Sequence, residues 1–426
     1  MNERILVVDD DPLTGELTAT LLKEAGFDVI LLQDSLQAVD TVKKSQPALA
    51  VLDILMPGID GLSLCHKLKN DPQTKGVKVA VVSGKAFHAD RKRATDYGAD
   101  LFIEKPYDVD TFAERIGALI AGKPVPPPPP SAELAQAAIP VPADAKIRLK
   151  VWGCRSLNPF KGGEPSRYGR ETSCVSAVVG DCLLVFDAGS GIIPLGKAIV
   201  ADGKYREIWL FLTHFHQDHI EGLGQFAPIY AAGYKINISG AKDPAESMHD
   251  RIQRILEAAP PELGAVQADI QLYEMMEENY EVIPGVFVAP FFSNHPGTTL
   301  GFTVNAEGRK FIYCPDSEIY GDQGTAMQDY DDRLSKIVRD ADLLMHDGRY
   351  LDSDYQVRKN NGHSSWLSTL ELAARSGIKR LILFHHDDAY NDPLLDGIAR
   401  DAKAHIAQKG YTLQIQLAQE ALEIGL

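Results

Sequence analysis

The sequence predicts an α/β protein of two domains, on three observations. Its 426 residues exceed what one hydrophobic core usually organises. Eight prolines stand among the twenty residues 123–142, a density that interrupts regular structure. On both sides of this stretch, short apolar runs alternate with amphipathic segments, as strands alternate with helices in α/β folds. We therefore predict a first domain at 1–121, a linker at 122–146 and a second domain at 147–426.

The composition is that of a globular protein, with 45% hydrophobic and 24% charged residues. A net charge of -16 disfavours general DNA or RNA binding, because such binding depends on clustered Lys and Arg. No targeting segment and no apolar run of membrane-spanning length is recognised, so we expect a cytoplasmic protein without a membrane span. The five cysteines include no CxxC pair, which favours reduced packing residues.

Five consecutive prolines at 126–130 lie inside the linker. Such a run predicts a polyproline II spacer that rises about 3.1 Å per residue. The alternative is a proline-rich ligand for a partner domain, which is less favoured because no basic anchor accompanies the run.

Apolar runs in the first domain predict five buried strands, at 5–8, 29–32, 49–52, 79–82 and 101–103. Segments between them, such as LTGELTATLLKEAG and VDTFAERIGALIAG, place apolar residues at helical spacing. This alternation predicts a doubly wound, five-stranded parallel sheet of flavodoxin-like type. Ligand chemistry in such sheets collects at the carboxyl ends of the strands.

Acidic residues occupy those strand ends. Asp9 and Asp10 follow the first strand, Asp53 ends the third, Ser83 ends the fourth and Lys105 follows the fifth. Carboxylates that converge on one edge repel one another unless a hard cation such as Mg²⁺ neutralises them, and Mg²⁺ also prefers phosphate oxygens. A single Asp at a strand end is usually a helix cap, but the ordered set predicts a phosphoryl-transfer site.

This arrangement, with DILMPGIDG at 53–61 and EKPY at 104–107, resembles the receiver domain of bacterial response regulators. The resemblance covers 1–121 and implies that a histidine kinase is the partner that phosphorylates Asp53. It also implies supporting roles: Asp9, Asp10 and the Leu55 carbonyl bind Mg²⁺, Ser83 hydrogen-bonds a phosphoryl oxygen, Lys105 balances its charge and Phe102 is the aromatic switch.

The second domain carries a histidine-rich hexad after the apolar run IWLFL. It reads His214-Phe215-His216-Gln217-Asp218-His219. Strand alternation points His214 and His216 the same way, and a tight turn then brings Asp218 and His219 round. Four ligands within six residues can begin two metal sites, whereas a single buried His would more often be a packing residue.

This HxHxDH hexad, preceded by Thr213, resembles the metallo-β-lactamase fold hydrolases, and so do later motifs up to about residue 420. The resemblance implies an αββα sandwich with a binuclear centre. Carried over by position, the metal ligands are His214, His216 and His295 for one ion, Asp218, His219 and His385 for the other, and Asp316 as the bridge. Asp187 matches a supporting residue, and His386 stays open as the alternative to His385.

Two divalent ions about 3.5–4 Å apart lower the pKa of a shared water and polarise an ester, which predicts a hydrolase. Zinc is the default from the ligands, and Mn²⁺ or Fe would also fit. His363 in NNGHSSW and Asp347 in LLMHDGRY resemble the phosphodiesterase and RNA-processing branches of the fold. We predict His363 as the general acid, oriented by Asp347, with Asp218 also catalytic. Alternatively, His363 caps the following helix and His346 belongs to the core.

The loop at 152–174 resembles the entry region of a bacterial branch but departs from it at Ser156 and at Arg170-Glu171. These departures leave the substrate open. Arg155, Arg167 and Arg170 are candidates for gripping a phosphate, although loop arginines are more commonly solvated.

Three functions are therefore weighed. The favoured one is a two-component regulator whose output is a metal-dependent phosphodiesterase for a small nucleotide or similar ester, controlled by phosphorylation of Asp53. The second is the same fold acting on a lactone, a thioester or RNA. The third is a non-catalytic signalling module whose metal site binds a ligand or partner and whose docking phosphorylation controls. Independently of this choice, phosphorylation could make the receiver domain cover or release the hydrolase entrance, or build a homodimer.

Overall fold

The computed structural model describes residues 3–54, 56–83, 93–104, 109–126, 139, 141–156, 166–243, 246–321 and 328–426. The chain forms two compact units, 1–133 and 134–426, and this split falls inside the proline-rich stretch. The predicted polyproline II segment lies largely outside the described residues, as do Leu55 and Lys105.

The first unit contains one parallel sheet in the order β2-β1-β3-β4-β5. Its strands are β1 (Arg4–Val8), β2 (Asp28–Leu32), β3 (Leu49–Asp53), β4 (Lys78–Ser83) and β5 (Leu101–Glu104). The described helices are α1 (Pro12–Glu24), α2 (Ala38–Ser45), α3 (Gly61–Asn70) and α4 (Val109–Ile120). Alternate residues of the strands enter two apolar layers, one shared with α2 and α3, the other with α1 and α4. The predicted doubly wound sheet is confirmed.

The start of α3 is packed against the end of β3. Asp60 caps the helix, because its carboxylate accepts a hydrogen bond from the Ser63 amide at 2.9 Å. A Cβ on Gly61 would lie 2.0 Å from the carbonyl oxygen of Asp53, so only glycine fits there. This close approach holds the backbone of the predicted phosphorylation site.

The second unit contains two seven-stranded sheets. The first has the order β11-β10-β9-β8-β7-β6-β19. Its strands are β6 (Ile147–Gly153), β7 (Cys174–Val179), β8 (Cys182–Phe186), β9 (Glu207–Phe211), β10 (Lys235–Ala241), β11 (Asp269–Met275) and β19 (Glu423–Gly425). The second runs from β12 to β18 in chain order. Its strands are β12 (Tyr280–Ile283), β13 (Val286–Phe292), β14 (Leu300–Ala306), β15 (Arg309–Cys314), β16 (Leu343–Asp347), β17 (Arg380–Phe384) and β18 (Gln414–Leu417).

Aromatic residues from both sheets, including Phe186, Phe211, Phe302 and Phe384, form the core between them. Separate apolar layers join the outer faces to helices. The helices are α5 (Ile192–Asp202), α6 (Gln217–Ile220), α7 (Met248–Glu257), α8 (Gln328–Val338), α9 (Asp352–Arg358), α10 (Trp366–Arg375) and α11 (Asp392–Lys409). The predicted αββα sandwich is confirmed. The carboxyl ends of β8, β9, β13, β15, β16 and β17 supply the residues of the site described next.

Candidate metal centre

The hexad begins just beyond β9 and continues into the short helix α6. His216 precedes the first residue of α6, and Asp218 and His219 lie within it. His214, His216, His295 and Asp316 form a group whose ligand atoms all lie within 4.8 Å of one another. In this group, Oδ2 of Asp316 lies 3.7 Å from Nε2 of His214 and 3.6 Å from Nε2 of His295. Side chains separated by about a hundred residues thus meet at one point.

A second group contains Asp218, His219 and His385. Oδ2 of Asp218 lies 3.6 Å from Nε2 of His219 and 3.6 Å from Nε2 of His385. Oδ1 of Asp316 lies 3.2 Å from Nε2 of His219 and 3.4 Å from Nδ1 of His385. The two oxygens of Asp316 therefore face different groups, which is the placement that a bridging carboxylate needs.

His385 and His386 point into different environments. The backbone of His385 is left-handed, with φ of 64°, and its ring enters the second group. Nε2–H of His386 donates to the Ala418 carbonyl at 2.8 Å, and its ring packs edge-on against Tyr168. Burial and the positive charge of Arg155 lower the pKa of His386 to about 3. The structure thus places His385, and not His386, beside the other candidate ligands.

A matched pair of variants tests this assignment. We expect His385→Gln to weaken metal binding by about 100-fold or more, because it removes an imidazole ligand. We expect His386→Gln to retain the metal content of the wild type, because a glutamine amide can still donate to Ala418. Elemental analysis of the two purified variants compares them directly. Loss of metal from His386→Gln with retention in His385→Gln would reverse the assignment.

The donor set fits divalent metal ions. Among the described residues, buried Nε2 of His214, buried Nε2 of His219 and buried Oδ1 of Asp316 have no hydrogen-bond partner. An unsatisfied buried polar group costs about 1–3 kcal/mol, so three of them at one point require an explanation. A divalent cation held by these residues would supply it. Imidazole nitrogens with carboxylate oxygens suit zinc, manganese or iron.

Outer hydrogen bonds orient these ligands. Asp187, whose φ is 59°, accepts from Nδ1–H of His219 at 2.8 Å, from the Thr213 amide at 2.8 Å and from the Tyr313 hydroxyl at 3.0 Å. Because a carboxylate only accepts, Nδ1 of His219 carries the proton and Nε2 presents its lone pair to the cluster. Asp187 therefore orients His219 from outside the ligand groups. Its left-handed backbone is uncommon for a residue other than glycine, and these hydrogen bonds hold it in place.

The Gly362 carbonyl orients His295 in the same way, accepting from its Nδ1–H at 2.8 Å. Gly362 has φ of 80°, and a Cβ there would lie 2.7 Å from Nδ1 of His295. Glycine is therefore required at this point of the loop. Buried Glu318 fixes the loop by accepting from the amides of Asn360 at 2.7 Å and Gly362 at 2.9 Å.

Electrostatics keep several groups in the form that binds metals. Burial alone would raise the pKa of Asp316, but the surrounding imidazoles of His385 and His219 hold it well below its usual range. Burial lowers the pKa of His214 and that of His385 well below the usual value. At His219 the neighbouring carboxylates outweigh burial and raise the pKa, so a metal ion competes with a proton there.

His363 lies against both ligand groups. Its ring stacks on His385 with centroids 5.1 Å apart and lies 4.9 Å from the ring of His295. Nδ1–H of His363 donates to Asp347 at 2.7 Å, and Asp347 also accepts from the Arg349 amide at 3.0 Å. Ser365, and not His363, caps α10 by accepting from the Ser368 amide at 3.1 Å. The helix-cap alternative for His363 is therefore wrong.

Arg349 is a functional candidate that the sequence analysis missed. This guanidinium is buried and donates from Nε to Asp387 at 3.0 Å and from Nη1 to Nε2 of His363 at 3.0 Å. Because arginine can only donate, His363 must accept through Nε2 in this arrangement and carry its proton on Nδ1. Asp387 outweighs the effect of burial and raises the pKa of Arg349. Closeness in sequence to predicted site residues could have indicated this pair, since Arg349 stands two residues after Asp347 and Asp387 two residues after His385.

The arginines of the 152–174 loop have other partners. Arg155 is fully buried and donates to the carbonyls of Gly169 at 3.0 Å and Tyr390 at 2.7 Å. The Arg167 guanidinium pairs with Asp396 at 2.6 Å, whereas Arg170 is exposed and its backbone amide donates to Glu420. Arg155 thus ties the loop to the segment after β17. Both the phosphate-binding and the solvated-loop interpretations are wrong for it.

His346 is completely buried, and its Nδ1 lies 3.0 Å from the Asp347 carbonyl oxygen. Burial lowers the pKa of His346, which favours the uncharged ring. This placement matches the alternative in which His346 belongs to the core.

The predicted phosphorylation site lies at one edge of the first unit. Asp9 continues β1 and is buried, Asp10 is half-buried, and Asp53 ends β3. Residues Val8 and Leu52 are direct partners across β1 and β3, which brings Asp9 level with Asp53. Ser83 ends β4, two strands from β1 in the sheet. Magnesium binding at this edge stays a prediction.

Phe102 lies on β5 and is half-buried against the layer that contains α2 and α3. Lys105 follows β5 but lies outside the described residues. The switch role of Phe102 and the charge-balancing role of Lys105 therefore stay predictions.

Comparison with known families decides the identity of both units. The family model described as "Response regulator receiver domain" matches residues 5–117, and the one described as "Beta-lactamase superfamily domain" matches residues 198–386. The chain combines a receiver domain with a β-lactamase superfamily domain. The second match includes every predicted metal ligand from His214 to His385. The two family resemblances inferred from the sequence motifs, one for each domain, are confirmed.

The matches to curated relatives extend over about the length of a receiver domain. The regulator RpaA of Synechocystis sp. is 33% identical over 117 residues, which are 28% of this chain and 48% of that protein. The response regulator MtrA of Mycolicibacterium smegmatis is 34% identical over 118 residues, which are 28% of this chain and 50% of that protein. The chain thus spans about half the length of these relatives. The names of both relatives include the term DNA-binding, and this property is stated of those two proteins alone.

Solved structures also resemble the β-lactamase superfamily domain. YhfI of Bacillus subtilis, a metallo-β-lactamase fold protein, has a TM-score of 0.48 and 18% identity over 65% of this chain and 98% of its own. The short form of human tRNase Z has a TM-score of 0.45 and 22% identity over 65% of this chain and 98% of its own. Within the described residues, the helices are too short or too polar to span a bilayer.

Proposed function

We propose that the β-lactamase superfamily domain is a binuclear metal-dependent phosphodiesterase for a small nucleotide or similar ester, and that the receiver domain controls it through phosphorylation of Asp53 by a histidine kinase in the cytoplasm. One observation carries the choice of substrate. A buried cation, Arg349, and a histidine–carboxylate pair, His363 and Asp347, lie directly beside the two ligand groups. An anionic diester needs both charge neutralisation and a proton for its leaving group.

The two ligand groups give the reaction its nucleophile. Bound divalent ions lower the pKa of water toward neutrality and polarise the oxygens of an ester. The chain supplies the positioning: Asp316 faces both groups, Asp218 joins His219 to His385, and Asp187 holds His219 from behind. Asp187, Asp316 and His385 follow strand ends and Asp218 and His219 lie in α6, so hydrogen bonds and packing position the donors before a substrate arrives.

Arg349 is suited to bind a phosphoryl oxygen. Its Nε is anchored to Asp387 at 3.0 Å, while within the described residues its Nη2 makes no hydrogen bond. A phosphate oxygen attracts this guanidinium more strongly than the neutral ring of His363 does, because the hydrogen bond then joins opposite charges. An anion that engages Nη1 as well as Nη2 would therefore displace Nε2 of His363 from Arg349.

His363 can then move a proton. In the structure Nε2 accepts from Arg349, so it can donate only after that contact is lost and the ring has taken up a second proton. Asp347 stabilises the resulting imidazolium, since it already accepts from Nδ1–H at 2.7 Å. The ring then gives the Nε2 proton to the leaving alkoxide as general acid.

Leaving groups of different basicity test His363. We expect His363→Asn to lower kcat about 1,000-fold for an alkyl phosphodiester, whose alkoxide must be protonated, and less than about tenfold for a bis(p-nitrophenyl) ester, whose phenolate leaves without a proton. Steady-state kinetics on metal-loaded protein measures both. Equal losses on the two substrates would assign His363 to binding or structure. The exposed His249→Asn variant serves as the control for loss of a histidine.

A substrate panel tests the function itself. Cyclic nucleotides, bis(p-nitrophenyl) phosphate, an acyl lactone, a thioester and a short RNA are incubated with protein loaded with Zn²⁺ or Mn²⁺. We expect turnover of phosphodiesters with discrimination against lactones and thioesters, because Arg349 favours an anionic substrate. Preference for the lactone would overturn the phosphodiesterase proposal. Absence of all turnover with two metals bound would favour the signalling module.

A further inference from the structure

A cavity of about 770 Å³ lies at the end of the sandwich opposite the metal centre. It opens where β17 and β18 begin, whereas the ligand His385 follows the last residue of β17. Apolar side chains, including Ile378 and Leu413, line part of it. Its volume lies within the range of about 300–1,000 Å³ that is typical of sites for small molecules.

Arg380, the first residue of β17, lines this cavity and is only 7% exposed. Ile382 and Phe384 of the same strand belong to the core between the sheets, so strand alternation turns Arg380 toward the same space. Nη2 of Arg380 donates to the side-chain oxygen of Gln416. Within the described residues, Nε has no hydrogen-bond partner and the guanidinium makes no ion pair.

A buried cation without a counter-ion is costly. Burial lowers the pKa of Arg380 and no carboxylate offsets this effect. Buried Arg349, in contrast, is paired with Asp387 at 3.0 Å, which raises its pKa. Arg155 donates hydrogen bonds to backbone carbonyls, and Oδ1 of Asp392 lies 4.0 Å from its Nη2. Arg380 differs from both, because its acceptor among the described residues is the neutral amide of Gln416.

Among the described side chains that line the cavity, none pairs a carboxylate with Arg380. Asp342 is the one acidic side chain among the described lining residues, and it is already bound by Lys379 at 2.7 Å and Arg309 at 3.3 Å. Counted by side chains, the lining holds three cations, these two and Arg380, against the one carboxylate of Asp342, and the α-carboxylate of Leu426 reduces the excess to one positive charge. An anion entering the cavity would therefore meet favourable charge at the mouth and an unpaired guanidinium inside.

We propose that this cavity is a second binding site, distinct from the metal centre, for a small organic anion. The carboxylate or phosphate group of the ligand binds the Arg380 guanidinium, whose planar fork matches either anion. The apolar body of the ligand packs against Ile378 and Leu413. The site does not depend on the proposed phosphodiesterase activity.

Thermal unfolding with defined probes tests the site. Phenyl phosphate and benzoate carry the two anionic groups on an apolar ring, and benzyl alcohol is the neutral control. We expect both anions, but not the alcohol, to raise Tm of the full chain saturably. We expect Arg380→Met to lose this response while folding at least as stably as the wild type without ligand, because it removes an unpaired buried charge. Lys379→Met removes an exposed charge next to it and should keep the response.

The outcomes that contradict the site are distinct. Identical anion responses in the wild type and Arg380→Met would place binding elsewhere, including at the metal centre. If Arg380→Met does not fold, Arg380→Lys retains the charge but loses the fork, and isothermal titration should then show affinity about tenfold weaker. Unchanged affinity in Arg380→Lys would overturn guanidinium recognition. Neither result bears on turnover by the metal centre.

Discussion

Asp316→Asn is expected to abolish hydrolysis by removing the shared anion of both ligand groups. One carboxylate oxygen of Asp316 faces His214 and His295, and the other faces His219 and His385, all within 3.7 Å. Asparagine keeps the volume but loses the charge and one ligand oxygen. We expect kcat to fall by about 1,000-fold or more, because charge stabilisation at the reacting centre is lost. Bound metal should fall below that of every other single-ligand variant.

A second buried aspartate provides the matched control. Asp331 accepts from the amides of Tyr320 at 3.2 Å and Gly321 at 2.8 Å and belongs to none of the ligand groups found among the described residues. Asp331→Asn should therefore cost stability while metal content and kcat remain near those of the wild type. Elemental analysis measures the metal content of both variants, and steady-state kinetics measures their kcat. Retention of two metals and full activity by Asp316→Asn would refute the binuclear centre.

Asp53→Asn is expected to abolish phosphorylation of the receiver domain completely, because the amide cannot form an acyl phosphate. Asp53 ends β3 at the same edge as Asp9, where a phosphoryl group and Mg²⁺ can be held together. Incubation with radiolabelled acetyl phosphate and Mg²⁺ measures incorporation. Asp60→Asn is the control in the same segment, since asparagine caps α3 as well as aspartate does. Labelling of Asp53→Asn equal to the wild type would move the site elsewhere.

The same variant tests control of the hydrolase. A beryllofluoride adduct mimics the acyl phosphate, and we expect it to change either kcat or the oligomeric state of the wild type but not of Asp53→Asn. An adduct that forms at Asp53 and changes neither quantity would contradict regulation by phosphorylation.

The spacing of apolar residues along the chain was sufficient to predict the strands of the receiver domain. The five strands predicted in the receiver domain coincide with the observed strands to within about one residue, because each is a short apolar run bounded by polar residues. The hexad could also be predicted from the sequence, because its candidate ligands are close together in the chain, between the end of β9 and the single turn of α6. For His295, Asp316 and His385, the resemblance to a family supplied what spacing alone could not.

Contacts across the fold decided the remaining features. The choice between His385 and His386 depends on a left-handed backbone at His385, which no periodicity encodes. Arg349, Arg155 and Arg380 are all buried arginines, yet one is paired with a carboxylate, one with carbonyls and one with a neutral amide. The sequence by itself therefore determined the fold class and the strands of the receiver sheet, and it predicted the candidate ligands. Only the tertiary structure decided the partner of each charge, because the partners lie on segments that are distant in sequence and meet where strands end.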